Sequence, residues 1–158
     1  MYNAAMKRIL LLTLILLSIL ILPLTAQSNE VMDGFLEKEA ADAGTALLLI
    51  AQARGELPDS ATTDDAMKWC ADQSWGRKLR KLEADDAINT GQFHIALFRS
   101  FEIKGGMIFG LFKTPRAAAQ EAGYQGYISG TPYVNHKMTP NEVLDSLSMA
   151  LEAREEEK

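Results

Sequence analysis

Few residues in this 158-residue chain could support catalysis. Cys70 is the only cysteine, and His94 and His136 are the only histidines. A thiol nucleophile would need one of these histidines within hydrogen-bond reach. Their surroundings in the sequence favour a packed His94 and a solvated His136. No serine lies in a nucleophile-elbow pattern, and no H-E-x-x-H motif or phosphate-binding glycine loop is present. We therefore expect no enzyme activity, no cofactor and no metal site.

A dense basic cluster is the first candidate for a binding site. The whole chain has a formal net charge of −5 at pH 7, so the cluster opposes the sign of the protein. It could hold an anionic envelope polymer or a lipid headgroup, and the alternative is a solvated loop. The acidic balance argues against binding to nucleic acid. The cluster consists of Arg77, Lys78, Arg80 and Lys81.

Three tyrosines near the end of the chain are further candidates for ligand contact. Aromatic faces can stack on sugar rings, although helix packing with hydroxyls at the rim explains these residues equally well. The tyrosines are Tyr124, Tyr127 and Tyr133.

An apolar, glycine-containing segment extends from Gly105 to Phe112. Glycine permits tight bends, so the pattern favours a segment folded into the core. The alternative is an exposed patch that docks a partner or a membrane surface. The residues of this candidate docking segment are Met107, Ile108, Phe109, Leu111 and Phe112.

Three capped helices are expected to position these groups. Asp42, Asn89 and Thr139 are typical N-cap residues, and they lie about 50 residues apart. Gln92 and Glu142 lie three residues after the last two caps, which is the spacing of a capping box. Positions four and eight after each cap fall on one helix face, so they predict a core-facing stripe. These positions hold Ala46, Phe93, Val143, Ile50, Leu97 and Leu147.

Shorter helices are expected in the connecting segments. Thr62 or Thr63 can cap one of them, and Thr114 followed by Pro115 can start another. No long period-two alternation of apolar residues occurs, so the sequence predicts an all-α fold. The internal similarity indicates two to three helix-turn-helix repeats.

The N-terminus has the pattern of a secretory signal. Lys7 and Arg8 precede an uncharged run from Ile9 to Leu22, and cleavage is expected after Ala26. A helix over that run is about 21 Å long, short of the roughly 30 Å hydrocarbon core, although an uncleaved anchor stays open. We therefore expect an exported protein of the periplasm or cell envelope. Its predicted parts are a signal peptide (1–26), a leader (27–41), a helical domain (42–151) and a charged tail (152–158).

The chain resembles the S-layer homology family. The stretch from Gly126 to Pro132, with Thr139, Asn141, Glu142 and Val143, is similar to that family's "GLISG…T-R-A-E-F" ending. A preceding copy is similar at Leu82, Asp85, Asp86, Ile88, Asn89, Gly91, Gln92 and Phe93. An earlier fragment is similar only at Asp42, Gly44, Ala46, Leu49 and Ile50.

The resemblance implies a non-catalytic, all-helical assembly, often of three motifs around a pseudo-threefold axis. It also implies attachment to peptidoglycan or another wall polymer. The family's glycan-associated arginine is replaced here by Ala43, Thr90 and Pro140, none of which can grip an anion as arginine does. A periplasmic adaptor that docks an envelope protein through the apolar segment is therefore the alternative. Membrane contact is expected only through an uncleaved signal sequence.

Overall fold

The computed structural model describes residues 32–131 and 133–156, so the predicted signal peptide and residues 27–31 of the leader lie outside the described residues. In the described part the chain is helical and contains no β-strand, which confirms the predicted all-α class. Residues 32–36 are helical. The helices that follow are α1 (Ala43–Arg54), α2 (Thr63–Asp72), the 3₁₀ helix η1 (Gly76–Lys78), α3 (Thr90–Ser100), α4 (Met107–Phe112), α5 (Pro115–Tyr124) and α6 (Pro140–Glu156).

The predicted helix caps form in the structure. The Asp42 carboxylate accepts a hydrogen bond from the backbone N–H of Thr45 at 2.8 Å, which satisfies an amide in the first turn of α1. Thr62 and Thr114 cap α2 and α5, so Thr62 rather than Thr63 is the cap. Capping boxes begin α3 and α6, and they pair Asn89 with Gln92 and Thr139 with Glu142.

The predicted apolar stripes face the core. All six positions at offsets four and eight from the three caps are buried, and five of them have no exposed surface. Burial of a large apolar side chain contributes about 1.5–3 kcal/mol, so these stripes stabilise the folded protein. The residues are Ala46, Ile50, Phe93, Leu97, Val143 and Leu147.

A closed ring of three backbone hydrogen bonds joins the residues that precede these caps. The N–H of Ala41 donates to the carbonyl of Met138 at 2.8 Å, and that of Met138 donates to Ile88 at 3.0 Å. The N–H of Ile88 donates to Ala41 at 2.9 Å, which completes the ring. All three residues have no exposed surface. The ring therefore holds the starts of α1, α3 and α6 together at one centre.

A second set of backbone hydrogen bonds follows the ring at two of the three helix starts. The N–H of Ala43 donates to the carbonyl of Asp86 at 2.8 Å, and that of Thr90 donates to His136 at 2.9 Å. Pro140 occupies the corresponding position of α6 and has no N–H to donate. The third helix start therefore lacks the bond that the first two make.

Both ends of the predicted domain differ in detail from expectation. Ala41 was expected to belong to the leader, but it is fully buried in the hydrogen-bonded ring. The compact unit begins at Phe35. At the other end α6 continues to Glu156, so the described part of the predicted tail is helical. No described helix has the length and hydropathy needed to cross a bilayer.

Candidate functional site

The basic cluster lies on η1 and the turn that follows it. Gly76 begins η1 against the carbonyl of Cys70, where a Cβ atom would overlap that group. Trp75 and Leu79 are buried on either side and attach η1 to the core. Their burial leaves the intervening and following side chains at the surface. All four predicted basic residues are exposed, namely Arg77, Lys78, Arg80 and Lys81.

Two residues of the cluster line an open groove of about 340 Å³ at the start of α3. Lys78 and Lys81 contribute to its wall, whereas Arg77 and Arg80 do not. Lys137 joins them from the segment before α6, a residue that the sequence did not single out. The remaining lining residues are Leu79, Leu82, Asp86, Ala87, Asn89 and Gln92.

Hydrogen bonds around the groove hold its walls in place. Asn89 and Gln92 form the capping box of α3, with bonds of 2.9 and 3.0 Å. Asn89 also pairs with Lys137 in an isolated antiparallel bridge, which brings the segment before α6 to the groove. The Nζ atom of Lys78 donates to the carbonyl of Lys113 at the end of α4. The groove is thus built from two parts of the chain, residues 78–92 and the segment that contains Lys137.

The charge of the groove opposes that of the protein. Its lining residues include three lysines, Lys78, Lys81 and Lys137, and one acidic residue, Asp86. The Asp86 carboxylate accepts a hydrogen bond from the backbone N–H of Glu83 at 2.8 Å. A cationic recess on a chain of formal net charge −5 raises the local concentration of anions. The arrangement is therefore suited to an anionic ligand rather than to proton transfer.

The three candidate tyrosines do not form one surface. Tyr124 and Tyr133 are exposed, but Tyr127 is only 7% exposed. The Tyr127 ring packs edge-to-face against Phe98, with centroids 5.0 Å apart, and burial raises the pKa of its hydroxyl. We therefore withdraw Tyr127 as a sugar-stacking residue, because neighbouring core rings already contact its ring.

The apolar segment is not the core element that its composition favours. Phe109 is buried and packs on Phe98, with ring centroids 5.6 Å apart. The other large apolar residues of the segment point to solvent. This corrects the expectation that the segment folds into the core, and it also removes Phe109 from the candidate docking residues. The exposed residues are Met107, Ile108, Leu111 and Phe112.

The groups that could support catalysis are in unfavourable surroundings. Burial raises the pKa of the Cys70 thiol to about 11, so the reactive thiolate is disfavoured at neutral pH. Burial lowers the pKa of His94 to about 4. His136 is exposed, and its Nε2 lies 3.0 Å from the Glu142 carboxylate. In the described part of the chain, no three of the histidine, cysteine and acidic side chains cluster as metal ligands do.

The three positions at which the sequence resemblance would place an arginine are enclosed by the fold. Ala43, Thr90 and Pro140 are buried at the starts of α1, α3 and α6. A comparison of the chain with family models, with curated proteins and with solved structures finds no match. Membership of the S-layer homology family therefore stays a prediction.

Proposed function

We propose that this chain is an exported, non-catalytic module of the cell envelope, and that its cationic groove binds peptidoglycan or another anionic wall polymer. The observation that carries the proposal is the convergence of Lys78, Lys81 and Lys137 on one groove of an acidic protein. Export rests on the sequence of residues 1–26, which has the charged start, apolar run and small residue of a cleavable signal.

The arrangement of the helix starts supports the proposed relation to S-layer homology modules. Such modules are expected to place three motifs around a common axis, and here three caps surround one ring of hydrogen bonds. The groove lies where the start of α3 meets the segment that leads into α6. Lysines at this junction supply positive charge that the buried Ala43, Thr90 and Pro140 cannot supply. A lysine ammonium acts as a point charge rather than a two-pronged fork, so we expect tolerant recognition of anionic groups.

The state of the possible nucleophile supports a role in binding. A catalytic cysteine needs a lowered pKa and solvent access, and Cys70 has the opposite of both. A catalytic histidine needs a pKa near the working pH, but that of His94 is about 4. An anion-binding groove requires neither group.

Sedimentation with purified cell walls tests the proposal. The protein should pellet with walls and stay in the supernatant without them. The double variant K81Q/K137Q removes two groove charges and leaves the Lys78 hydrogen bond to Lys113 intact. At about 1 kcal/mol for each exposed charge contact, we expect binding about 30-fold weaker. High salt should weaken wild-type binding in the same direction.

The variant R77Q/R80Q is the matched control. It removes two exposed charges from the same cluster, but neither residue lines the groove. Its affinity for walls should stay within about threefold of the wild type, because a site beyond the groove contributes little. Equal loss in both double variants would assign binding to general charge rather than to the groove. Wild-type protein left wholly in the supernatant would refute the proposed function.

A further inference from the structure

Helix α4 exposes four large apolar side chains, which we call the apolar patch. Met107 is 87% exposed, Ile108 53%, Leu111 74% and Phe112 61%. Scattered apolar residues are common on protein surfaces, but four in one six-residue helix form a continuous patch. Patches of this kind mark surfaces that contact another phase or molecule.

The apolar patch belongs to a firmly held element. Phe109 is buried and packs edge-to-face on Phe98 of α3. The N–H of Lys113 closes the end of α4 by donating to the carbonyl of Phe109 at 2.9 Å. The Lys113 carbonyl in turn accepts a hydrogen bond from Lys78. These contacts present the patch outward in the folded protein.

Positive charge flanks the apolar patch. From residue 103 to residue 120 the chain carries three cations and no carboxylate, although the whole protein is acidic. The three cations, Lys104, Lys113 and Arg116, are all exposed. The nearest acid in the sequence on the C-terminal side is Glu121, whose carboxylate lies close to Gly106 at the start of α4. It is buried and accepts a hydrogen bond from Gln125 at 2.6 Å. On the other side lies the exposed Glu102.

We propose that the apolar patch and its flanking cations dock on an anionic phospholipid surface. A six-residue helix is about 9 Å long, too short to cross a bilayer but suited to the interfacial layer. Basic residues beside an apolar face complement anionic headgroups. A protein interface of standard size uses about 20–30 residues a side, far more than this patch offers. This contact commits the patch to the membrane surface that the sequence left as one alternative, and it is separate from any contact through an uncleaved signal.

A fluorescent label on α4 tests the proposal in the full chain. Leu111→Cys accepts an environment-sensitive thiol label, whereas the buried Cys70, with its pKa of about 11, resists labelling. Vesicles of phosphatidylglycerol and phosphatidylcholine with brominated acyl chains should quench the label. Quenching reports lipid close to residue 111, so attachment of the protein to the vesicle through the apolar run Ile9–Leu22 does not by itself quench the label.

Ser60→Cys provides the matched control. Ser60 is exposed and lies between Asp59 and Asp64, so an anionic surface repels its surroundings. Its label should remain unquenched. The variant K113Q/R116Q, followed through the Leu111→Cys label, should bind vesicles about 25-fold more weakly, at roughly fivefold for each basic residue removed.

Three results would overturn the proposal. Equal quenching at both label positions would show that α4 has no preferred contact with lipid. Equal binding to pure phosphatidylcholine vesicles would remove the role of the flanking cations. No response to vesicles, together with a shifted emission on addition of envelope protein, would assign the patch to a protein partner.

Discussion

Protonation of His94 is expected to destabilise the folded protein in mildly acidic solution. Its ring has no exposed surface and packs edge-to-face near Phe98 and Tyr127, with centroids 5.6 and 6.1 Å away. Nδ1 lies 2.8 Å from the Thr90 carbonyl oxygen, which can only accept, so Nδ1 carries the proton. Nε2 is buried with no hydrogen-bond partner in the described part of the chain. A second proton would therefore create a poorly solvated cation.

The size of the effect follows from the shift in pKa. Burial is the largest cause and lowers the pKa of His94 from 6.5 to about 4, against smaller upward contributions from the Thr90 hydrogen bond and the charge of Glu142. The unfolded chain thus takes up the proton first as the pH falls, and stability is lost from about pH 6.5 down to about pH 4. At 1.36 kcal/mol per pKa unit the full loss is about 3 kcal/mol, of which about 2 kcal/mol is reached at pH 5.

The carboxylates of Asp42 and Glu142 affect the stability of the fold mainly at lower pH than His94 does. Burial alone would raise the pKa of Asp42, but hydrogen bonds from Lys38 and Thr45 outweigh it and lower that pKa from 3.8. Burial would likewise raise the pKa of Glu142, but hydrogen bonds from Thr139 and His136 lower it from 4.5. The stability that these two groups contribute is present above those ordinary values and is lost below them. The interval between pH 6.5 and pH 5 therefore separates the effect of His94 from the effects of these two carboxylates.

Thermal unfolding followed by circular dichroism measures the predicted loss. The midpoint should fall by about 8 °C between pH 7 and pH 5, since 1 kcal/mol corresponds to about 4 °C in a domain of this size. His94→Leu replaces the ring by the residue found at the equivalent position of α1, Leu47, and should remove most of this drop. His136→Gln, at the exposed histidine, should retain it. An equal drop in His94→Leu and the wild type would refute the assignment.

Three further changes test a helix cap and the packing, a fourth serves as a surface control, and each is measured by urea unfolding. Asn89→Ala removes the side-chain acceptor of the α3 capping box and should cost about 1 kcal/mol. Gly91→Ala places a Cβ 2.8 Å from the Pro115 carbonyl oxygen and should cost about 1–3 kcal/mol through overpacking. Phe98 is 1% exposed, so Phe98→Ala leaves a cavity in the core and should lower the free energy of unfolding by about 3–5 kcal/mol. Leu111→Ser, at the exposed patch, is the control and should change the free energy of unfolding by less than about 0.5 kcal/mol. A tolerated Gly91→Ala or Phe98→Ala would contradict the packing described for α3.

The helix starts could be predicted because their determinants are local. A short polar cap and the residue three positions later satisfy the first amides of a helix whatever surrounds them. Asn89 with Gln92 and Thr139 with Glu142 therefore formed capping boxes as expected. The apolar residues four and eight positions after the caps were predictable for a similar reason, since helix geometry alone puts them on one face.

The exposure of α4 could not be predicted from local sequence patterns. Its composition is that of a core segment, and composition does not state how many neighbours are available to cover a helix. Only Phe109 found a partner, in Phe98, and the remaining large side chains were left at the surface. Exposure of an apolar helix is decided by tertiary packing, which a linear pattern does not contain.

Two of the three lysines that line the groove could be found from the sequence. Lys78 and Lys81 stood out because they are close in sequence to other basic residues. Lys137 is a single lysine beside His136, and it reaches the groove only through the pairing of its backbone with Asn89. Such long-range pairs leave no periodic signal, so the third cation of the site had to be found in the structure.

The buried ring also explains where an anion-binding site can form on this fold. Ala43 and Thr90 use their backbone N–H groups to hold neighbouring segments, and their side chains are enclosed at the same junction. A long cationic side chain at either position would have to leave the junction or disrupt it. The positive charge of the proposed site therefore comes from Lys78, Lys81 and Lys137, which lie outside the ring. It follows that the proposed binding depends on the integrity of the ring, although no ring residue needs to contact the ligand.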